Sequence, residues 1–181
     1  MKATGIVRRI DDLGRIVIPK EIRRTMRIRE GDPMEIFTSR EGEILLKKYS
    51  PVGELSEFAL SLAESMSQVT GELVCVTDRD YVIASAGPGK KEMEGRPLDM
   101  QLQSVIDRRE NPYGETEESF SKITPDETKE YLKQSIASIL CNGDCIGAVA
   151  VCVKKQNTIQ EDSLRQLTRT MATFLGKQME Q

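Results

Sequence analysis

The sequence predicts an α+β fold in two parts, a small basic head and a larger acidic body built on a largely antiparallel sheet flanked by helices. Three observations carry this. The first is charge. Residues 1–50 hold 12 Lys and Arg against 8 Asp and Glu, a net +4, and the rest hold 14 against 21, a net −7. The second is periodicity, which switches between period-two runs and helical stripes. The third is turn chemistry, with Gly, Asp, Asn and Pro standing between those runs.

In the head, residues 4–10 are β-rich with partial alternation, Asp11-Asp12-Leu13-Gly14 reads as a turn, and Arg15-Ile16-Val17-Ile18 is expected to be a second strand. Pro19 ends the second run and suits the first turn of a helix. Lys20 to Arg27 fits that helix, with Ile22 and Met26 on one face. Met34 to Ser39 and Glu43 to Tyr49 form a hairpin around Glu41-Gly42. Fifty residues of this kind bury too little surface to stand alone, so the head is expected to dimerise by sharing strands.

Ser50-Pro51-Val52-Gly53 has a linker's composition, which places the head at 1–50, a linker at 51–55 and the body at 56–181. Leu55, Phe58, Ala59, Leu62, Met66 and Val69 follow helical spacing up to Gly71. Strands are expected at Glu72 to Thr77 and Tyr81 to Ala86, and a helix at Pro97 to Arg109. After a polar stretch, Ser135 to Cys141 and Cys145 to Val153 form a hairpin through Asn142-Gly143-Asp144. Thr158 with Glu161 reads as a capping box opening a last helix, striped by Leu164, Leu167, Met171, Phe174 and Leu175.

Composition narrows the function classes. There is no histidine, so the commonest general base and most zinc sites are absent. No nucleophile has a histidine partner. Gly87-Pro88-Gly89-Lys90-Lys91 lacks the phosphate-loop pattern and reads as a turn. An enzyme, a cofactor and a metal site are therefore not expected. The longest apolar run, Ile146 to Val153, is too short to span a bilayer, and Met1-Lys2-Ala3-Thr4 opens no leader, so a cytoplasmic protein is expected. Cys75, Cys141, Cys145 and Cys152 lie among apolar residues. Cys141 and Cys145, flanking a three-residue loop, would face each other across the hairpin. That placement allows a disulfide or a soft-metal pair, but small apolar strand residues in a reducing compartment is the favoured reading.

The basic residues of the head carry the functional signal. Arg8 and Arg9 end the first run, Arg15 opens the second, and Arg23 and Arg24 lie on the helix. A hairpin and an adjoining helix can bring these five together. Guanidinium groups bind phosphate oxygens or the guanine edge through paired hydrogen bonds. The same residues could equally form a solvated face with ion pairs to Asp11, Asp12 and Glu21.

The run Thr4-Gly5-Ile6-Val7-Arg8-Arg9-Ile10-Asp11-Asp12-Leu13-Gly14-Arg15-Ile16-Val17-Ile18-Pro19, with Glu21-Ile22-Arg23-Arg24 and Leu45-Leu46-Lys47-Lys48-Tyr49, closely resembles the AbrB-type transition-state regulators. The resemblance implies a swapped-hairpin β-barrel dimer that binds double-stranded DNA. Its DNA contacts fall on Arg8, Arg9, Arg15, Arg23 and Arg24, while Lys20 stands at a position whose residue type the resemblance does not fix. It also implies A/T-rich, weakly conserved sites, read through shape and deformability. The body resembles a GAF domain in its element order and in its strands Gly71-Glu72-Leu73-Val74-Cys75-Val76-Thr77-Asp78 and Asn142-Gly143-Asp144-Cys145-Ile146-Gly147-Ala148-Val149. That likeness implies terminal helices that dimerise on one sheet face and a second face able to hold a small effector, whose identity the residues do not give. Together the halves resemble two-domain regulators that activate and repress sporulation genes, with a tetramer expected if both halves self-associate. Two other readings are an antitoxin-like protein-binding module, against which the foldable body counts, and a GAF-like sensor without DNA binding.

Overall fold

The computed structural model describes residues 4–128, 130–154 and 159–180. The chain divides into two compact units, Met1–Tyr49 and Ser50–Gln181.

In the first unit Pro19 caps α1 (Lys20–Thr25). The helix stops short of the predicted Arg27 because Arg27 takes a left-handed φ of 53° and the Ile28 amide turns back to the Arg23 carbonyl at 2.8 Å. Strands β1 (Met34–Thr38) and β2 (Ile44–Lys48) pair antiparallel from Met34↔Lys48 to Thr38↔Ile44. The Ser39 hydroxyl accepts from the Glu41 and Glu43 amides in the turn between them, where Gly42 takes a φ of 79°. Asp32 ties the loop after α1 to β2: its carboxylate accepts from the Arg29 amide at 2.7 Å and from Lys48 Nζ at 2.9 Å. Burial pushes this carboxyl up, but the Arg29 amide and Lys48 outweigh it and hold the group below its ordinary value.

Residues 4–10 and 15–18 have strand composition, yet within one chain they form no strand. Between them stands the turn at Asp11–Gly14. The Asp11 amide donates to the Arg15 carbonyl and the Gly14 amide to the Asp11 carbonyl, both at 3.0 Å. The physical reason is the lack of a ladder partner, because β1 and β2 pair only with each other. The side chains tell the same story. Val7, Leu13, Val17 and Ile36 are each more than half exposed, and Pro19 is the one buried residue among the described residues of this unit. Ile6, Ile16, Ile18, Ile22, Met26 and Leu46 line an open apolar groove of about 490 Å³.

The second unit opens with α2 (Pro51–Glu54), which the Ser50 hydroxyl caps by accepting from the Gly53 amide. The linker-like stretch is thus a helical turn, and its Val52 is buried in the core. Helix α3 (Ser56–Thr70) ends at Gly71, which takes the left-handed φ of 75° that a helix C-terminus favours. Strands β3 (Leu73–Thr77) and β4 (Val82–Ala86) follow. Lys90–Met93, which begins inside the segment Gly87-Pro88-Gly89-Lys90-Lys91 read as a turn, forms the short helix α4. Helix α5 (Met100–Arg108) starts later than predicted, because Asp99 caps it while Pro97 bridges to Tyr81. The polar stretch hides β5 (Tyr113–Gly114) and a 3-10 turn at Glu117–Ser119. Strands β6 (Lys133–Cys141) and β7 (Asp144–Val153) and helix α6 (Glu161–Gln178) complete the unit. Gln160 is the residue before α6; Thr158 of the expected capping box lies outside the described residues.

The five strands form one antiparallel sheet in the order β4-β3-β7-β6-β5. Helix α3 packs on β3 and β4, and α6 on β6 and β7, so one face meets Val74, Val76, Ile139, Val149, Leu164 and Leu175. The other face, with Leu73, Cys75, Ala148, Ala150 and Cys152, is covered by α4, α5 and residues 116–128. Burial on both faces explains why β3 reads as a continuous apolar run (Leu73-Val74-Cys75-Val76) without alternation. Helix α6 lies so close to β6 that a Cβ on Gly176 would stand 2.1 Å from the Leu140 carbonyl oxygen, which makes glycine obligatory there.

Segment 116–128 crosses its face as a strap with little regular structure. Side chains replace a ladder. Gln134 exchanges two bonds with the Ser121 backbone, at 2.8 and 2.9 Å, and Gln101 accepts from the Lys122 amide at 2.9 Å. The buried Glu127 carboxylate accepts from the Ile123 and Thr124 amides and from the Tyr131 hydroxyl. Phe120 and Ile123 fill the space beneath.

The hairpin corrects the cysteine geometry. Its turn has two residues, Asn142 (φ 49°) and Gly143 (φ 85°), so Cys141 faces Asp144 and Cys145 faces Leu140. Cys141 and Cys145 therefore point to opposite faces, and all four cysteines are free. Burial raises the Cys152 thiol to about 12, with the Glu127 charge adding to it, and pushes Cys75 up as well. Both are fully buried, while Cys141 and Cys145 are half-buried. A thiol reagent applied to the native protein is expected to label Cys141 and Cys145 and to spare Cys75 and Cys152 until unfolding. Labelling of Cys152 at the rate of Cys141 would mean that the strap does not seal its face.

Candidate nucleic-acid interface

The five arginines fall into two sets. Arg8, Arg9 and Arg15 flank the Asp11–Gly14 turn, and Arg23 and Arg24 occupy the last turn of α1. Cation placement at that end suits the helix dipole. All five side chains are exposed, as is Lys20 at the start of α1. Among the described residues, Arg8, Arg9, Arg23 and Arg24 have no carboxylate partner, so of the ion pairs to Asp11, Asp12 and Glu21 that a solvated face would make, these four make none. Arg15 is different: its Nε lies 2.8 Å from Asp11 Oδ2.

Asp11 shapes the whole turn. Its Oδ1 accepts from the Leu13 amide at 3.1 Å and the Arg15 amide at 2.7 Å. These bonds, first from the Arg15 backbone and then from its side chain, hold the Asp11 carboxyl below its ordinary value. Gly14, with φ 74°, supplies the left-handed residue that closes the turn. The sequence marks this arrangement by an Asp three residues before a Gly, a turn signal with its own mechanism.

Chemically, the first unit presents the guanidinium groups of Arg8, Arg9, Arg23 and Arg24, without a carboxylate partner among the described residues, and an open apolar groove that Arg8 helps to line. Unpaired guanidinium groups suit phosphate, since each keeps its donors free. The second unit offers the described residues no cluster of His, Cys, Asp and Glu able to hold a metal ion, and no described helix is long and apolar enough to cross a membrane.

Comparison with known proteins follows the same division. Residues 54–180 match the family described as "Stage V sporulation protein T C-terminal, transcription factor", and residues 7–54 match "Antidote-toxin recognition MazE, bacterial antitoxin". The chain is 44% identical to stage V sporulation protein T of Bacillus subtilis (strain 168) over 181 residues, which is 100% of both chains. It is 52% identical over 69 residues to the transition state regulatory protein AbrB of the same organism, covering 35% of this chain and 71% of AbrB. Among solved structures, the second unit is similar in fold to the GAF domain of the nutrient sensor CodY from Clostridium difficile. That likeness has a TM-score of 0.52 at 16% identity and covers 66% of this chain and 83% of that one. A match over the whole length, on top of a family match over the second unit, leaves one conclusion: the chain belongs to the stage V sporulation protein T family of transcription regulators.

Proposed function

We propose that the chain regulates sporulation genes, as activator and repressor, by binding A/T-rich double-stranded DNA through a swapped-hairpin dimer of residues 1–50. Arg8, Arg9, Arg15, Arg23 and Arg24 make the contacts. The observation that carries this reading is the incompleteness of the first unit: its apolar side chains are exposed in one chain, and four of these five arginines have no carboxylate partner among the described residues. A second copy would bury the groove and pair the β-rich segments 4–10 and 15–18, and it would double the basic surface. The protein works in the cytoplasm, on the nucleoid. Titration of a labelled A/T-rich duplex with the full-length protein tests the reading.

Residues 56–181 act as the GAF-like regulatory part. The rings of Phe58 of α3 and Phe174 of α6 meet at a tilt of 38° with centroids 5.6 Å apart yet remain 37% and 42% exposed, and Leu167, also on α6, is 42% exposed. These helices are the surface through which dimers join into a tetramer. A small-molecule effector would act on the second face, where the strap now sits, by binding two states of the domain unequally. Phe174→Asp is expected to halve the assembly from tetramer to dimer in light scattering, with the fold retained. A tetramer that survives this substitution would remove α6 from the interface.

A second reading, a toxin-binding module, has the antitoxin-family match of residues 7–54 in its favour. The folded unit of residues 50–181 weighs against it, since wrapping a toxin calls for a segment without its own core.

A further inference from the structure

A carboxylate on a surface that meets phosphates repels its target, so Asp11 needs a reason to stand beside Arg15. Three bonds converge on it. Two backbone amides, of Leu13 and Arg15, donate to Oδ1, and the Arg15 guanidinium donates through Nε to Oδ2 at 2.8 Å. The backbone bonds alone would be served by an asparagine, whose amide oxygen accepts in the same way. The third would not: an asparagine amide nitrogen facing Nε is a donor against a donor. The negative charge is therefore used on the guanidinium itself. Held by Nε, that group keeps its two terminal nitrogens available, and Arg15 remains 70% exposed. A long arginine side chain loses considerable rotamer freedom when it docks, and a guanidinium already oriented loses less.

We infer that Asp11 is a positioning residue for DNA binding, holding the Arg15 guanidinium in the orientation in which it meets a phosphate or a base edge. This rests on the reading of Arg15 as a DNA contact. Asp12, next in the chain, makes no such bond among the described residues, so it serves as the control.

The test is a double-mutant cycle in the full-length protein, read by fluorescence anisotropy on an A/T-rich duplex over a range of salt concentrations. Asp11→Asn keeps the side-chain oxygen that accepts from the two backbone amides, and so the turn, while releasing the guanidinium. In the wild-type background Arg15→Ala is expected to weaken binding about tenfold. In the Asp11→Asn background the same change is expected to weaken it only about threefold, with a smaller fall in salt slope. Asp12→Asn leaves the cost of Arg15→Ala at its wild-type size. Equal costs of Arg15→Ala in the wild-type and Asp11→Asn backgrounds overturn the positioning role while leaving Arg15 as a contact. No cost of Arg15→Ala in the wild type overturns the contact itself, and the inference with it. Because coupling is the quantity read, a uniform gain from removing one negative charge near DNA does not imitate it.

Discussion

Replacing Ile16 by Asp is expected to abolish DNA binding without touching a basic residue. In one chain Ile16 is 52% exposed and lines the open groove of the first unit, so the substitution does no harm to that chain taken alone. In a dimer that buries the groove, a carboxylate would be stranded in apolar surroundings with no partner. Uncompensated burial of a charge belongs to the small class of changes that cost more than about 4 kcal/mol, and a two-fold dimer meets it twice. The expected readout is a smaller assembly by light scattering together with abolished binding. A variant that keeps its size and binds DNA normally would show that the groove faces solvent in the working protein.

The second large effect is local. Arg23→Ala is expected to weaken binding to an A/T-rich duplex about tenfold while leaving assembly and thermal unfolding unchanged. Arg23 is exposed on the last turn of α1 and has no carboxylate partner among the described residues, so its removal breaks no ion pair. Removing one arginine–phosphate bond lowers the slope of log affinity against log salt by about 0.9, and in a dimer the substitution removes two. A fall in affinity with an unchanged salt slope would mean that Arg23 reads a base or DNA shape rather than a phosphate. An unchanged affinity in a folded protein would remove it from the interface.

The sequence showed most where structure is local. Asp11-Asp12-Leu13-Gly14 is the turn its residue types require, and Pro19, Gly71 and Gly143 mark boundaries by their own backbone preferences. After Glu72 the longer elements, β3, β4, α5, β6, β7 and α6, follow from apolar runs and helical stripes set between turn residues, while the short α4 and β5 do not. Other features were not legible. Residues 4–10 and 15–18 have strand composition, but a strand needs a ladder, and one chain provides none. The strap of residues 116–128 read as a polar stretch because its fixing groups, Gln101, Gln134 and Glu127, satisfy backbone donors and acceptors from scattered positions. No period connects them. The cysteine hairpin failed for a smaller reason: one residue fewer in the turn moves Cys145 to the opposite face from Cys141.

Charge and spacing single out the five arginines, but they do not distinguish a binding surface from a solvated one, and a DNA titration of the substituted proteins is what decides between them. Of the five, Arg15 is tied to a carboxylate, and that tie belongs to the turn that presents it.

At the centre of this account stands DNA binding by the basic first unit as part of an assembly. The direct measurement is fluorescence anisotropy of a labelled A/T-rich duplex titrated with the full-length protein at several salt concentrations. Binding that weakens linearly on a log–log plot against salt, and that disappears when Arg15 and Arg23 are both replaced by alanine, is the expected result. Affinity independent of salt, or unchanged in the folded double variant, would contradict it.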